Sequence, residues 1–255
     1  MAARIRLLPR DLDSLAAVSR FRMLQRAQLH RWKFAGLSDT VVRRSIARLV
    51  ERGWLGSERL HKNGMQVVWC TSAGRDALVE EGIAHAEELF PARGPVPAKD
   101  MAHTGAIVDA AIRLTELGRA GDRMIPAWGL QRLLGGRVEV IPDLLCLTHR
   151  TDEHGGAVLA VEVDLGGEPI ASVLVPKTMK LVSFLRPYAG SATAILLLTV
   201  GERRRRTVEK ALRQARLGLP IAVAALDAFT SENVRSGRSN EETPETSPSS
   251  DFSMG

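Results

Sequence analysis

The chain lacks the signatures of several functional classes. It has only two cysteines, Cys70 and Cys146, and both lie in apolar, strand-like runs, which speaks for buried thiols in a reducing compartment and against a disulfide framework. No apolar run reaches the roughly 18 residues that would span a bilayer, and the arginine-containing start has no signal-peptide core. A cytoplasmic protein without membrane contact is expected. The six histidines, His30, His61, His85, His103, His149 and His154, show no Cys/His ligand spacing and read as surface or packing residues. There is no phosphate-cradling loop of the G-x-x-x-x-G-K type, Gly166-Gly167 reading instead as a turn. No Ser or Cys nucleophile signature and no internal repeat occurs.

What is present is an uneven charge. The 255 residues carry 35 Lys+Arg and 29 Asp+Glu, but residues 1–75 alone hold 15 basic and 5 acidic side chains, so the remainder is mildly acidic. A segment that cationic attracts a polyanion, because neutralising phosphates releases condensed counterions. At 45% hydrophobic composition the length suffices for two modest domains with cores of their own.

Residues 1–85 read as a winged helix-turn-helix. Pro9 with acids close behind it starts a first helix that ends near Ser19. Gln25 to Trp32 is a short second helix broken by Ala35-Gly36-Leu37, and Ser38-Asp39 caps a third that runs to Arg52. In that third helix Val42, Ile46, Leu49 and Val50 form an apolar stripe, while Thr40, Arg44 and Arg48 fall almost opposite and Arg43 on the flank. Strands over Gly56–His61 and Met65–Thr71 flank Asn63-Gly64, a strong hairpin signal. A further helix opens under a Thr71 or Ser72 cap. In such a unit the third helix enters the major groove, with Arg44 and Arg48 as base-edge candidates, while Arg43, Arg59 and Lys62 suit phosphates. Double-stranded DNA is the expected partner; the alternative is a winged helix that contacts protein.

Residues 86–101, with Pro91, Pro95, Pro97 and Gly94, read as a linker without helix or ladder. Helix resumes from Met101 to Leu117. From Val138 the pattern changes to strand, strand, helix, strand, helix, strand, giving an α/β domain with a mixed sheet over 102–228. Residues 229–255 are polar and read as a disordered tail. The fold class is therefore α+β.

Within the second domain, Glu162 and Asp164 are two apart on one strand and share a face. Asp143 follows Pro142 on a neighbouring strand. With those strands in register, Asp143, Glu162 and Asp164 converge at one sheet edge, where carboxylates hold a divalent metal. This pattern resembles the PD-(D/E)xK nucleases, in which a lysine two residues after the acid positions and activates the attacking water. Asp164 fills that slot here, so the cation would have to come from Lys177 or Lys180 on the next helix.

The Leu-Pro-Arg-Asp start, the Trp69-Cys70-Thr71-Ser72-Ala73-Gly74-Arg75 run, His103-Thr104, Pro142-Asp143, Glu162-Val163-Asp164 and the Lys180 to Tyr188 helix together resemble the replication-relaxation family over about residues 5–228. The resemblance implies a bacterial protein of plasmids or other mobile elements, acting in replication and DNA relaxation or as a transcriptional or transfer regulator. After the acidic triplet the chain reads Leu165-Gly166-Gly167-Glu168-Pro169, departing from the Arg-Gly-Thr-Glu-like run common in that family. Two functions follow as expectations. One is a DNA-binding protein whose α/β domain forms a homodimer or contacts a replication or transfer protein. The other is a Mg²⁺-dependent nicking endonuclease with Asp143, Glu162, Asp164 and Lys180 as catalytic residues and Asp143 and Glu162 on the metal.

Overall fold

The computed structural model describes residues 8–60, 64–85, 89–91, 94–121, 123–148, 156–188 and 192–231. Among these it is a mixed α+β protein with a three-stranded and a five-stranded sheet.

The amino-terminal unit comprises α1 (Pro9–Arg20), β1 (Leu24–Gln25), α2 (Arg26–Lys33), α3 (Asp39–Glu51), β2 (Leu55–Arg59), β3 (Gln66–Cys70) and α4 (Ser72–Glu80). Pro9 sits at the first helical position of α1, where its missing N–H is no loss. Of the two expected cap candidates it is Thr71 that caps α4, accepting from Gly74 N at 3.1 Å, and its hydroxyl donates to Gly53 O at 2.5 Å. Gly74 itself is dictated by packing, since a Cβ there would lie 2.3 Å from Trp54 O. The hairpin pairs Leu55 with Cys70 through Arg59 with Gln66, and β1 adds to β3. This two-residue strand is too short to leave an alternating pattern in the sequence. In α3 the stripe of Val42, Ile46 and Leu49 is buried, whereas Val50 is 37% exposed, one position too far round the helix to reach the core. His61, Lys62 and Asn63, at the expected wing tip, lie outside the described residues.

The proline-rich segment is better packed than a linker. Leu89 and Val96 are both buried, Val96 against Met23 and Val67, and helix α5 (Ala98–Glu116) starts three residues before the expected Met101. This helix is buried on nearly all sides from Gly105 to Leu114, the pattern of a helix packed between two layers. One side meets α2, where Gln28 Nε2 donates to Gly105 O at 2.9 Å and Arg31 forks onto Glu116 with two 2.6 Å bonds. On the other, His103 reaches Val163. One apolar core consequently runs from Leu15, Ile46 and Leu49 through Ala111 and Leu114 to Leu144, Val161 and Leu198.

The five-stranded sheet has the order β4 (Arg123–Pro126), β5 (Leu144–Thr148), β6 (Ala157–Asp164), β7 (Ala192–Thr199), β8 (Ile221–Ala225). The pairs β4·β5 and β5·β6 are antiparallel, and β6·β7 and β7·β8 are parallel. Each parallel step carries a crossover helix, α7 (Val175–Leu185) and α8 (Glu202–Ala215), as parallel strands require. The mixed sheet agrees with the sequence pattern. Residues 138–143 are not strand, and β4, α6 (Ala127–Leu134) and α9 (Leu226–Thr230) were not expected. Phe229 and Thr230, assigned from composition to the tail, belong to α9; residues 232–255 lie outside the described residues. Both cysteines are buried free thiols, and burial pushes Cys70 up to about 11 and Cys146 up to about 12. Among the described residues no helix is long and apolar enough to cross a membrane.

Candidate functional sites: an arginine-faced helix and a neutralised carboxylate cluster

The face of α3 turned away from the core carries Thr40, Arg43 and Arg44, all exposed. Arg43 Nε lies 2.6 Å from Asp39, one turn back, with both side chains well exposed. A pair of that kind is worth little and is easily exchanged for another anion. Arg44 and, on β2, Arg59 are exposed and make no hydrogen bond or ion pair among the described residues.

Arg48 differs from the expectation. Its guanidinium turns back onto α1, 2.9 Å from Asp11, a carboxylate with no exposed surface. Ser45 Oγ donates to the same carboxylate at 2.5 Å, and Leu8 N, at the start of α1, donates to it at 3.2 Å. Arg48 therefore ties α3 to α1. Its place at the edge of the outward stripe, one turn beyond Arg44, lets a long side chain fold inward, which helical periodicity alone does not reveal.

The carboxylates are arranged around the middle of the sheet, because β6 is its central strand. Register pairs Leu144 with Val161 and so brings Asp143 beside Glu162, as expected. Asp143 Oδ2 accepts from Val163 N at 2.8 Å and lies 3.3 Å from His103 Nε2, which is 3.1 Å from Val163 O. Both neighbours of that nitrogen are acceptors, so it carries a hydrogen. Its hydrogen bond to Asp143 raises the His103 pKa, with burial opposing.

Glu162, 1% exposed, pairs through Oε1 with Lys177 of α7, while its Oε2 is buried without a partner. Burial is the main cause that pushes its carboxyl up to about 8; Asp143 adds repulsion, and Lys177 pulls the other way. Asp164, 4% exposed, is held by Arg204 of α8 through 2.5 and 3.0 Å bonds and caps the Gly166 N–H at 2.9 Å. Two crossover helices thus each deliver a cation to one acid of β6.

The expected cluster is thus only partly brought together. Asp143 and Glu162 are neighbours, but Asp164 is committed to Arg204, and the cations already supply the compensation that a divalent ion would bring. No three His, Cys, Asp or Glu side chains among the described residues are grouped to hold a metal. Lys180, expected at the site, instead pairs with Glu139 on the surface, with both side chains largely exposed. Lys177 takes the position beside Glu162. The roles of His103 and Arg204 are not visible in residue spacing. Arg204 lies 40 positions from Asp164 and is brought to it only by the parallel register of β6 and β7.

Fold and site together define a mixed α+β protein: a helix-and-hairpin unit with a cationic third helix, continuous with a five-stranded sheet whose central acids are internally neutralised. Within that class, the chain belongs to the replication-relaxation family, whose sequence model matches residues 15–194. No curated protein and no solved structure matches it. Family membership implies involvement with DNA and its replication.

Proposed function

We propose that residues 1–85 act as a winged helix-turn-helix that grips double-stranded DNA, in a plasmid or other mobile element, for replication or relaxation or as a transcriptional or transfer regulator. The observation that carries this reading is Arg44, exposed on α3 and unpaired among the described residues, beside Thr40 and Arg43 on the face opposite the buried stripe. An arginine fork on a helix face suits guanine edges in the major groove, and Arg43 can trade its exposed partner Asp39 for a phosphate. Arg59, exposed on β2, extends the contact to the backbone, and Lys62, outside the described residues, is assigned to the same role from its sequence position. The α/β part is then free to form a homodimer or to contact a replication or transfer protein.

Arg44→Ala is expected to weaken duplex binding about tenfold, the size of one bidentate arginine contact, and to leave the thermal transition unchanged. Fluorescence anisotropy with a labelled duplex over a salt series measures it. Unchanged affinity and salt slope would remove α3 as the DNA-facing helix.

The rival reading, a metal-dependent nicking enzyme built on Asp143, Glu162 and Asp164, has one observation in its favour, the unpartnered Glu162 Oε2 beside Asp143. Against it stand Lys177 and Arg204, already seated on Glu162 and Asp164. Supercoiled plasmid incubated with and without Mg²⁺ separates the two readings: retardation without change of topology is expected, and nicked product lost in Glu162→Gln would make the protein an enzyme.

A further inference from the structure

We infer a second nucleic-acid site: the cleft between the amino-terminal unit and the five-stranded sheet takes one nucleotide with an unpaired base, stacked on Trp128. It is distinct from the duplex grip proposed for α3 and stands on different residues.

Trp128 sits in the first turn of α6 and is held in place rather than loose. Its indole N–H donates to Arg20 O at 2.8 Å, and the edge of Phe90 braces it at 5.1 Å between ring centroids. Two cavities share it in their lining. One, about 200 Å³, is lined by Arg22, Asp100, His103, Thr104 and Asp143 among others; the second, about 210 Å³, by Arg20, Arg123, Met124 and Leu133. Asp100, His103, Thr104 and Ile107 line the first cavity from α5 at i, i+3, i+4 and i+7, so one continuous helix face is turned to it.

The two cavities differ in chemistry in the way the two ends of a nucleotide do. A base offers a flat π face and an edge of donors and acceptors. Trp128 suits the face, and the carboxylates of Asp100 and Asp143 suit exocyclic amino groups on the edge. The phosphate end needs cations, and Arg20 and Arg123 line the adjoining cavity. A base in a duplex has both its faces and its pairing edge occupied, so only an unpaired one fits.

Arg22 supplies an independent pointer. It follows the end of α1 with φ +70°, in the left-handed region where glycine is the usual occupant. A bulky residue held there is disfavoured unless its side chain is wanted. That side chain lines the first cavity, its guanidinium 4.5 Å from the Phe90 ring centroid, and its Nε is buried with no hydrogen-bond partner. A nucleotide in the cleft provides the missing acceptor.

The test uses the full chain with a labelled single-stranded oligonucleotide of mixed sequence, the matching duplex, oligo-dT, and the four free deoxynucleoside monophosphates. Trp128→Leu is expected to weaken single-strand binding about tenfold, the usual loss of one base–aromatic stack, and to leave duplex affinity within about twofold. Arg123→Ala, on an exposed edge-strand position, should weaken it severalfold, with the thermal transition read alongside to confirm the fold. Oligo-dT should bind less tightly than the mixed strand, since thymine has no exocyclic amino group to offer the carboxylates. Loss of monophosphate binding in the same variants would identify free nucleotides as the source; loss confined to the strand would identify DNA. Arg44→Ala should show the reverse pattern, losing duplex alone, so either site can fail without the other. Should Trp128→Leu not fold, Arg123→Ala decides. Single-strand and monophosphate binding unchanged in the folded variants would overturn the inference.

Discussion

Arg48→Ala is expected to destabilise the protein by about 3 kcal/mol, the lower end of what breaking a buried ion pair costs when one charge is left behind. Asp11 has no exposed surface, and without Arg48 it would keep only Ser45 Oγ and Leu8 N as donors. Replacing the acid as well, in Asp11→Asn with Arg48→Ala, should recover part of the loss because no bare charge remains. Urea unfolding of the two single variants and the double variant gives the coupling directly. A single variant as stable as the wild type would show that Arg48 is free to face DNA. The distinction matters for reading any DNA-binding experiment: a defect in Arg48→Ala reports the α1–α3 joint, whereas one in Arg44→Ala reports the groove.

The second large effect concerns pH. The Glu162 carboxyl, pushed up to about 8 from an ordinary value of 4.5, keeps its proton in the native state over a range in which the unfolded chain has released it. Its contribution to stability is thus fully present below about pH 4.5 and is lost as pH climbs through about 8. His103, also raised, has the same sign. Stability is expected to fall by a few kcal/mol between pH 5 and 8, an order of magnitude set by roughly 1.4 kcal/mol per pKa unit, and Glu162→Gln should remove most of that slope. In Lys177→Met the acid loses the cation that opposes its burial, so the loss should be worst at pH 8 and mild at pH 5. Urea midpoints at three pH values settle it. Parallel pH profiles for wild type and Glu162→Gln would mean that Glu162 does not titrate in this window.

Much of this architecture was legible from residue order. The cap at Thr71, the stripe of Val42, Ile46 and Leu49, and the strands beginning at Ala157 and Ala192 follow from local periodicity and turn chemistry. Elements whose signal is short or non-local were not. Two-residue β1 and four-residue β4 have too few positions to alternate, and α6 follows Pro126 with no capping side chain to announce it. At the carboxylates, spacing put Glu162 and Asp164 on one strand and Asp143 next to Glu162. It could not say that β6 is central, nor which cations answer each acid. Lys177 and Arg204 arrive by the crossover topology, which sets one cation against each of the two acids of β6.

The position of α5 has a wider consequence. Because one continuous core extends from α1 and α3 through this helix to β5, β6 and β7, the two halves cannot melt independently without exposing apolar surface on both. The shared core predicts one cooperative unfolding transition, in which free energy gained at either end is felt by the whole. On the proposed reading, DNA held on α3 would raise the work needed to open β6, and by the same linkage anything that loosens the sheet would lower the affinity for DNA. Occupancy at the outer helix would in this way be felt at acids buried in the middle of the sheet, with no moving hinge between them.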